Sequence, residues 1–389
     1  MPTITTIEDL RVLAQKRVPK MFYDYADSGS WTEQTYRENE SDFAKIRLRQ
    51  RVAVDMSDRS CEMPMIGEMM KMPVALAPVG STGMQHADGE ILACKAAHAF
   101  GTQFTMSTLS VCSIEDVADR VEKPFWFQLY VMKDREFAGR LIDRAKAAGC
   151  SALVLTLDLQ IMGQRHKDLK NGMSVPPKLT VPIMADLATK WRWGLGMLRT
   201  PRRQFRNVVG HVDGVSNVGA LMDWIGQMFE PSLDWDDVKW IKDRWGGKLI
   251  LKGIMEVEDA INAVESGADA IVVSNHGGRQ LDGPVSSIAM LPAIIAAVGD
   301  KTEVHMDSGI RSGQDVLKAV ALGAKGVYIG RAAVYGLGAM GQAGVTKALE
   351  IIHTELDKSM AFCGHRELKN VGPEILVPPD YRPNPYMHE

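Results

Sequence analysis

Apolar and polar positions alternate along most of the chain so that short strand-like runs are separated by longer helical stretches. Helical periodicity appears at residues 88–100, 113–120, 134–148, 256–266, 286–298 and 312–322, and a glycine follows several of these stretches where a helix C-cap is expected. Eight apolar runs indicate buried strands, at residues 74–77, 102–105, 126–129, 153–157, 249–252, 270–274, 303–307 and 326–329. Eight such repeats favour an α/β fold of the closed (β/α)8 TIM barrel type over an open, doubly wound sheet.

Three segments lie outside this alternation. The N-terminal segment is expected to be helical, with Thr5 and Glu8 as a capping box at its start. Residues 170–237, between the fourth and fifth strands, are too long for an ordinary loop, and we interpret them as an insertion over the barrel mouth. Residues 339–389 are expected to form C-terminal helices and an extended tail. We therefore interpret residues 1–389 as a single domain whose barrel occupies about residues 73–338.

Composition excludes several classes of function. The net charge is −3 and charged residues make up 24% of the chain, so no general attraction to nucleic acid is expected. Five scattered cysteines without a CxxC pair predict a reducing, cytoplasmic compartment and no metal site. No secretory signal is recognisable, and no apolar stretch is long enough to span a membrane.

Polar residues and glycines cluster where the predicted strands end. In a parallel barrel these ends meet on one face, where catalytic groups are found. The convergence of so many such residues predicts an enzyme. The positions are Pro78, Val79, Gly80, Ser107, Gln128, Tyr130, Thr156, Asp158, Lys252, Asn275, His276, Asp307, Ser308, Gly309, Gly330 and Arg331.

The segment from Ser274 to Gly283, SNHGGRQLDG, places a base and a carboxylate clamp close together. His276 is suited to proton transfer near neutral pH, and Arg279 offers a planar fork for a carboxylate. A histidine with a purely structural role is the alternative. Chemistry on a small organic acid is the interpretation that explains both residues.

Three further charged residues extend this hypothesis. Lys252 ends a buried strand and needs an anionic partner, which could be a cofactor or, as a structural ion pair, Asp158. Asp158 could instead orient His276. Arg165 could form a second carboxylate clamp, although Asp158 and Arg165 could also be two surface charges on a loop.

The ends of the seventh and eighth strands predict a phosphate site. Residues 307–313, DSGIRSG, precede a helix, and Gly330 with Arg331 ends the last strand. Glycine turns and helix N-termini bind phosphate through backbone N–H groups, and barrels often place phosphate at this position. The alternative is that these glycines only form tight turns between strand and helix.

Within the insertion, apolar and basic residues alternate in a pattern typical of an interfacial helix. Such a patch could bind a membrane surface and meet a quinone there. A lid or a subunit contact is the alternative, because Trp and Arg also mark protein interfaces. The residues are Trp191, Trp193, Leu195, Met197 and Leu198, beside Arg192, Arg199, Arg202 and Arg203.

Several motifs together resemble one family over nearly the whole chain. They are KMFYDY at residues 20–25, QLY at 128–130, LTLD at 155–158, Lys252 with Gly253, the SNHGGRQLDG segment, residues 307–313, and IGR at 329–331. The chain resembles the FMN-dependent L-2-hydroxy acid dehydrogenases and oxidases. The resemblance is closest to the bacterial respiratory L-lactate dehydrogenase branch, and glycolate oxidase and mandelate dehydrogenase are also similar.

The resemblance implies catalytic and substrate-binding roles. His276 would be the base paired with Asp158, and Lys252 would lie near N1 of FMN. Residues that would contact the substrate are Tyr25, Tyr130, Arg165 and Arg279, with Val79, Leu109 and Met162 around its side chain.

The resemblance also implies a set of FMN contacts. Those near the ring would be Pro78, Val79, Gly80, Ser107, Gln128, Thr156, Lys252 and Ser274, and those near the phosphate Asp307, Ser308, Gly309, Arg311, Gly330 and Arg331. Family oxidases commonly have Pro-Thr-Ala after the first strand, whereas this chain has Pro78-Val79-Gly80. Gly80 therefore favours a dehydrogenase.

The implied reaction is oxidation of L-lactate to pyruvate, with electrons passed from FMN to a quinone or another carrier. A mandelate, glycolate or longer 2-hydroxy acid enzyme that uses O2 is the alternative within the family. A non-redox phosphate-binding barrel isomerase is the alternative outside it. The resemblance also implies a homotetramer or larger assembly. If the acceptor is a membrane quinone, the protein would bind peripherally to the cytoplasmic face of the inner membrane through residues 191–203.

Overall fold

Eight parallel strands form the centre of the protein. The computed structural model describes residues 3–172, 180–212, 224 and 228–378. A short hairpin of Met63–Met65 (β1) and Glu68–Met70 (β2) precedes the barrel. The barrel strands are Val74–Leu76 (β3), Thr105–Ser107 (β4), Trp126–Tyr130 (β5), Ala152–Thr156 (β6), Lys248–Ile254 (β7), Ala270–Val273 (β8), Glu303–Met306 (β9) and Gly326–Ile329 (β10).

The strands follow one another around the sheet in chain order, and the last pairs with the first, β10 with β3. The remaining gap is closed by a parallel bridge between Leu76 and Phe104, and the Leu76 N–H donates to the Gln103 carbonyl at 2.8 Å. The predicted (β/α)8 barrel is therefore confirmed. The second strand begins at Thr105 rather than at residue 102, because the Thr102 hydroxyl bonds the Val74 carbonyl and residues 102–104 lead into the strand.

Helices surround this sheet. The N-terminal helices are Ile7–Arg17 (α1), Lys20–Ala26 (α2) and Gln34–Ser41 (α3). Those between the barrel strands are Thr82–Gln85 (α4), Gly89–Phe100 (α5), Ile114–Ala118 (α6), Arg135–Ala147 (α7), His166–Lys170 (α8), Val181–Thr189 (α9), Trp191–Arg199 (α10), Trp235–Trp245 (α11), Val257–Glu265 (α12), Ser287–Val298 (α13) and Gly313–Ala321 (α14). Arg331–Met340 (α15) and Gln342–Phe362 (α16) follow the last strand.

Two predicted boundaries near the termini were wrong. The capping box of α1 uses Thr6 and Asp9 rather than Thr5 and Glu8, because the Thr6 N–H donates to the Asp9 carboxylate and the Asp9 N–H donates to the Thr6 hydroxyl. The C-terminal helical hairpin begins at Arg331, at the end of the last strand, rather than near residue 339, and it turns at Gly341, which has a φ of 64°. The predicted tail lies largely outside the described residues.

The hairpin β1–β2 closes the N-terminal end of the barrel. Met65, Ile66 and Met70 are buried against Trp126 and Tyr328 in the barrel interior. The backbone N–H of residue 66 donates to the carboxylate of Glu303 at 2.8 Å, which fixes the plug to the sheet. With this end filled, the C-terminal strand ends form the face at which side chains can meet a ligand.

Helices α9 and α10 of the insertion pack on the side of the barrel near α2 and α4. The Trp193 indole N–H donates to the Met84 carbonyl at 2.8 Å, and its ring lies 5.5 Å from that of Phe22. Arg202 is buried and pairs with Asp88 at 2.7 Å. Trp193 and Arg202 therefore hold the insertion to the barrel, which corrects their assignment to an exposed patch. Within the residues described here, no helix is both long and apolar enough to cross a bilayer.

Candidate active site

A cavity opens at the C-terminal ends of the barrel strands and encloses about 1050 Å³, part of it open to solvent. Among the predicted site residues, its walls contain Tyr25, Pro78, Val79, Gly80, Tyr130, Arg165, Lys252, His276, Arg279, Asp307, Ser308, Gly309, Arg311, Gly330 and Arg331. Ser107, Gln128, Thr156 and Ser274 are buried and do not line the cavity, and Asp158 adjoins it through its bond to His276. The predicted residues thus surround one space, and their chemical roles stay predictions.

His276 and Asp158 form a pair at the edge of the cavity. The Asp158 Oδ1 lies 2.8 Å from the His276 Nδ1, so Nε2 is the ring nitrogen left to take a proton. Burial by itself raises the pKa of Asp158, but the charge and hydrogen bond of His276 lower it by more. The net pKa of Asp158 therefore lies below its usual value. His276 has a φ of 59°, a backbone conformation that residues other than glycine rarely adopt. Its backbone N–H donates to the Ser274 Oγ at 3.1 Å. The backbone is therefore strained to present the imidazole to the cavity.

Lys252 lies at the cavity floor and pairs with Asp307, not with Asp158 as one sequence interpretation had it. The Lys252 Nζ is 2.9 Å from the Asp307 carboxylate and 2.8 Å from the Ser274 Oγ. Burial lowers the pKa of Lys252, but the Asp307 and Asp158 carboxylates outweigh it and the net pKa is raised. Strands β7 and β9 lie on either side of β8. Because inward side chains from alternate strands of a barrel share a layer, Lys252 and Asp307 can meet. The ammonium therefore stays charged beside the cavity.

Two arginines near Tyr25 differ in their partners. Arg165 is paired with Asp168 at 2.6 Å. Arg279 has no carboxylate within 4.0 Å among the described residues, and its guanidinium lies 4.7 Å from the centre of the Tyr25 ring. Burial, together with repulsion from Arg165, lowers the pKa of Arg279 to about 10, which leaves it charged at neutral pH. Uncompensated positive charge in a cavity favours an anionic ligand.

The Gln128 Nε2, the Thr156 Oγ1 and the Asp158 Oδ2 are buried polar atoms near the cavity that have no hydrogen-bond partner within the described part of the chain. The Gln128 Oε1 already accepts from the Ser107 Oγ at 3.1 Å, which leaves the amide donor for another group. Thr156 lies beside Lys252 in the register of neighbouring strands. Such atoms require partners when buried. An amide donor, a hydroxyl and an ammonium on neighbouring strands fit the polar edge of the expected flavin ring.

The predicted phosphate region combines a helix N-terminus with close backbone packing. Gly309 has a φ of 84°, and a Cβ there would lie 1.8 Å from the Asn39 carbonyl oxygen, so no side chain fits. Arg331 begins helix α15, whose free N–H groups face the cavity end. Arg311 is partly neutralised by Glu40 at 2.7 Å. Because carboxylate and phosphate repel each other, Asp307 is better placed as the partner of Lys252 than as a phosphate ligand.

Sequence reasoning missed several residues of the cavity wall. Phe229, from the insertion, packs edge-on against Tyr130 with ring centres 5.6 Å apart. Its backbone bridges to Met132, a pairing between distant segments that no local pattern reveals. The other apolar wall residues outside the predicted set are Ala26, Ala77, Leu159, Ile310, Tyr328 and Val334.

Comparison with known proteins supports the resemblance. Residues 14–378 match the FMN-dependent dehydrogenase family. The L-lactate dehydrogenase of Ectopseudomonas mendocina (strain ymp) is 44% identical over 375 residues, which cover 96% of this chain and 99% of that protein. The L-lactate dehydrogenase of Xanthomonas axonopodis pv. citri (strain 306) is 45% identical over 374 residues, covering 96% of each.

Solved structures show the same relationship. The monotopic membrane protein (S)-mandelate dehydrogenase superposes with a TM-score of 0.91 at 35% identity and covers 97% of this chain and 100% of that one. A mandelate oxidase superposes with a TM-score of 0.77 at 34% identity, covering 94% and 96%. The matches extend over the barrel and the cavity alike, and the chain therefore belongs to the FMN-dependent dehydrogenase family.

Proposed function

We propose that this protein oxidises L-lactate to pyruvate, with FMN as the first electron acceptor and a quinone as the next. One observation carries the proposal: the cavity contains a base, His276 held by Asp158, beside the guanidinium of Arg279, which has no acidic partner among the described residues. A base and a carboxylate clamp in one cavity match the two polar groups of a 2-hydroxy acid. Homologues named L-lactate dehydrogenase, at 44–45% identity, support this substrate.

Each residue has a stated task in this proposal. His276 accepts a proton at Nε2 and Asp158 stabilises the resulting imidazolium. Arg279 and Arg165 hold the substrate carboxylate, while the hydroxyl groups of Tyr25 and Tyr130 orient the rest of the substrate.

The cavity geometry supports the proposed cofactor contacts. FMN supplies the two-electron acceptor when it is bound. Gln128, Thr156, Ser107 and Ser274 lie where they would serve its ring, and Lys252 provides positive charge beside it. The backbone of Pro78, Val79 and Gly80 would pass along the ring, and Ser308, Gly309, Arg311, Gly330 and Arg331 would hold the phosphate.

We propose that apolar residues of the cavity lining select the substrate side chain. These residues are Val79, Leu109, Leu159, Met162 and Phe229. The Phe229 ring packs edge-on against Tyr130 and would exclude a bulky aromatic side chain, so we propose a small aliphatic acid as the substrate. Structural similarity to mandelate dehydrogenase keeps mandelate as the second candidate.

A single experiment tests the reaction. The yellow protein is mixed anaerobically with L-lactate, glycolate and (S)-mandelate, and the rate of flavin bleaching is followed. We expect lactate to bleach the flavin fastest, and reoxidation by a water-soluble quinone to be faster than by O2. Faster bleaching by mandelate would assign the protein to the second candidate, and a protein that binds no flavin would refute the proposal.

We also propose peripheral attachment to the cytoplasmic face of the inner membrane through the insertion. Trp191, Leu195 and Leu198 on α10 are 61%, 43% and 70% exposed, and Arg192 and Arg199 are exposed beside them. An exposed apolar face with flanking cations suits an anionic lipid surface. The structural neighbour described as a monotopic membrane protein supports this location, and the quinone would be met there.

Vesicle flotation tests the attachment. Replacing Trp191, Leu195 and Leu198 with serine should abolish flotation with anionic vesicles. The matched control replaces Val52, Val54 and Phe362, which are also exposed apolar residues, and should float like the wild type. Equal flotation of both variants would refute the assignment.

We further propose that residues 1–389 act as one domain and that the protein assembles as a homotetramer or larger. Family membership supports the assembly. Native mass spectrometry of the purified protein tests it, and a monomer at micromolar concentration would refute it.

A further inference from the structure

Asp27, at the C-terminal end of helix α2, is a buried carboxylate that the proposed reaction does not use. It is 7% exposed, and it accepts hydrogen bonds from the hydroxyls of Tyr23, Tyr36 and Tyr335 at 2.7, 2.8 and 2.6 Å. Arg11 on α1 is 3.4 Å away. Burial by itself raises the pKa of Asp27, but the bonds from Tyr335, Tyr23 and Tyr36 outweigh it and lower the pKa to about 2. One ionised carboxylate therefore joins helices α1, α2, α3 and α15.

Backbone carbonyls on either side of Asp27 accept hydrogen bonds from Arg279 and Arg331, two arginines of the cavity. Arg279 donates to the Tyr25 carbonyl at 2.5 Å and to the Ser28 carbonyl at 3.2 Å. Arg331 donates to the Ala26 carbonyl at 2.9 Å and to the Ser28 carbonyl at 2.7 Å. The last carbonyls of a helix have no partner within it, so they are free to accept from cations.

Within the described part of the chain, neither arginine has a carboxylate within ion-pair distance to fix its direction. Arg331 also donates to the Gly277 carbonyl at 2.9 Å, and its guanidinium lies 4.4 Å from the centre of the Tyr36 ring. The hydroxyl of that same tyrosine bonds Asp27. The carbonyls of residues 25–28 thus direct both guanidinium groups, and Gly277 and Tyr36 also direct that of Arg331. Asp27 lies within this turn, and its carboxylate is bonded to Tyr36.

We propose that Asp27 is a positioning residue that directs Arg279 toward the substrate carboxylate and Arg331 toward the cofactor phosphate. Its carboxylate fixes the turn at residues 25–28, whose carbonyls bind the two guanidinium groups. It also fixes the ring of Tyr36, which lies under the guanidinium of Arg331. This inference rests on the proposed roles of the two arginines. It adds a residue that links the substrate site to the phosphate site without touching either ligand.

Flavin binding tests the link to the phosphate. Full-length protein stripped of flavin is titrated with FMN and with riboflavin, which lacks the phosphate, and quenching of flavin fluorescence gives each Kd. Wild-type protein should prefer FMN. In Asp27→Asn this preference should fall by about tenfold, the loss expected when one charge-assisted hydrogen bond is misdirected, while the riboflavin Kd stays the same.

Kinetics test the link to the substrate. In the flavin-loaded Asp27→Asn enzyme, KM for lactate should rise by about tenfold with a smaller change in kcat, because carboxylate binding is weakened. The matched control is Asp116→Asn, since Asp116 is also largely buried and pairs with Arg206 at 3.1 Å away from the cavity. That control should alter thermal stability but neither KM nor the preference for FMN.

Two outcomes would overturn the inference, and a third would overturn the proposed function on which it rests. If Asp27→Asn weakens FMN and riboflavin equally and leaves KM unchanged, Asp27 only stabilises the fold. If Asp27→Asn does not fold, Tyr335→Phe removes one of its donors and should shift both readouts in the same direction, and no shift would refute the link. Equal binding of the two flavins by the wild type would instead overturn the phosphate role of Arg331, which is part of the proposed function.

Discussion

Arg279 and Arg165 both border the cavity, yet the structure predicts unequal contributions to substrate binding. The Nη1 of Arg279 is held by the carbonyls of Tyr25 and Ser28, which leaves the rest of its fork for a ligand. The Arg165 Nε is already bonded to the Asp168 carboxylate at 2.6 Å, so much of its charge is compensated. Replacement of each arginine by lysine therefore separates the two roles.

Arg279→Lys keeps the charge but replaces a planar, bidentate fork with a point charge on a flexible stem. A hydrogen bond to a charged group contributes about 1.5–3 kcal/mol, so losing one of two bonds to the carboxylate should lower kcat/KM by about 10- to 100-fold. In Arg165→Lys the new ammonium can keep its ion pair with Asp168. The effect there should stay below about tenfold, the value for 1.4 kcal/mol.

Steady-state assays and anaerobic stopped-flow bleaching over a range of lactate concentrations measure both variants. We expect the loss to appear in KM, with kcat changed by less than about threefold, because the clamp binds the ground state and the transition state alike. Flavin content and circular dichroism check that each variant is folded. A larger KM change in Arg165→Lys than in Arg279→Lys, or no change in either, would refute the reasoning.

Three further predictions follow from the buried charges. His276→Gln should abolish flavin reduction by lactate while FMN stays bound, because an amide cannot take the proton; bleaching at the wild-type rate would contradict this. Lys252→Met leaves the Asp307 carboxylate buried and unpaired, so it should lower the free energy of unfolding by about 3–5 kcal/mol in urea titrations, and the double variant with Asp307→Asn should recover much of the loss. An unchanged urea midpoint in the single variant would show that the pair is not important for stability. The pKa of Asp27 falls from 3.8 to about 2 on folding, so its ionised form stabilises the fold above pH 3.8, and this contribution is lost as the pH falls toward 2. The shift corresponds to about 2 kcal/mol, and it should appear as a steeper pH dependence in the wild type than in Asp27→Asn; parallel curves would refute it.

Local patterns predicted the elements better than their ends. The barrel strands follow from apolar runs because a strand buried on both faces needs apolar side chains throughout. The start of α1 was misplaced because Thr5 and Thr6 are both followed, three residues later, by an acid, and only the folded backbone decides which pair closes. The same limit applies to α10, where sequence treated Trp191 and Trp193 alike. Packing turned Trp193 toward Phe22 and left Trp191 exposed.

The sequence by itself determined which chemical groups stand at the strand ends, and therefore that His276, Arg279 and Lys252 share one face of a barrel. That conclusion needs only the order of the elements, because parallel strands bring all their C-terminal ends to the same side. The tertiary structure alone decided the partners: Asp307 for Lys252, Asp168 for Arg165, and no carboxylate for Arg279 among the described residues. Lys252 and Asp307 lie far apart along the chain, so their pairing depends on strand register and side-chain direction, which are set by packing across the whole barrel. Arg165 and Asp168 are only three residues apart, but which of its possible partners Arg165 takes depends on the folded loop.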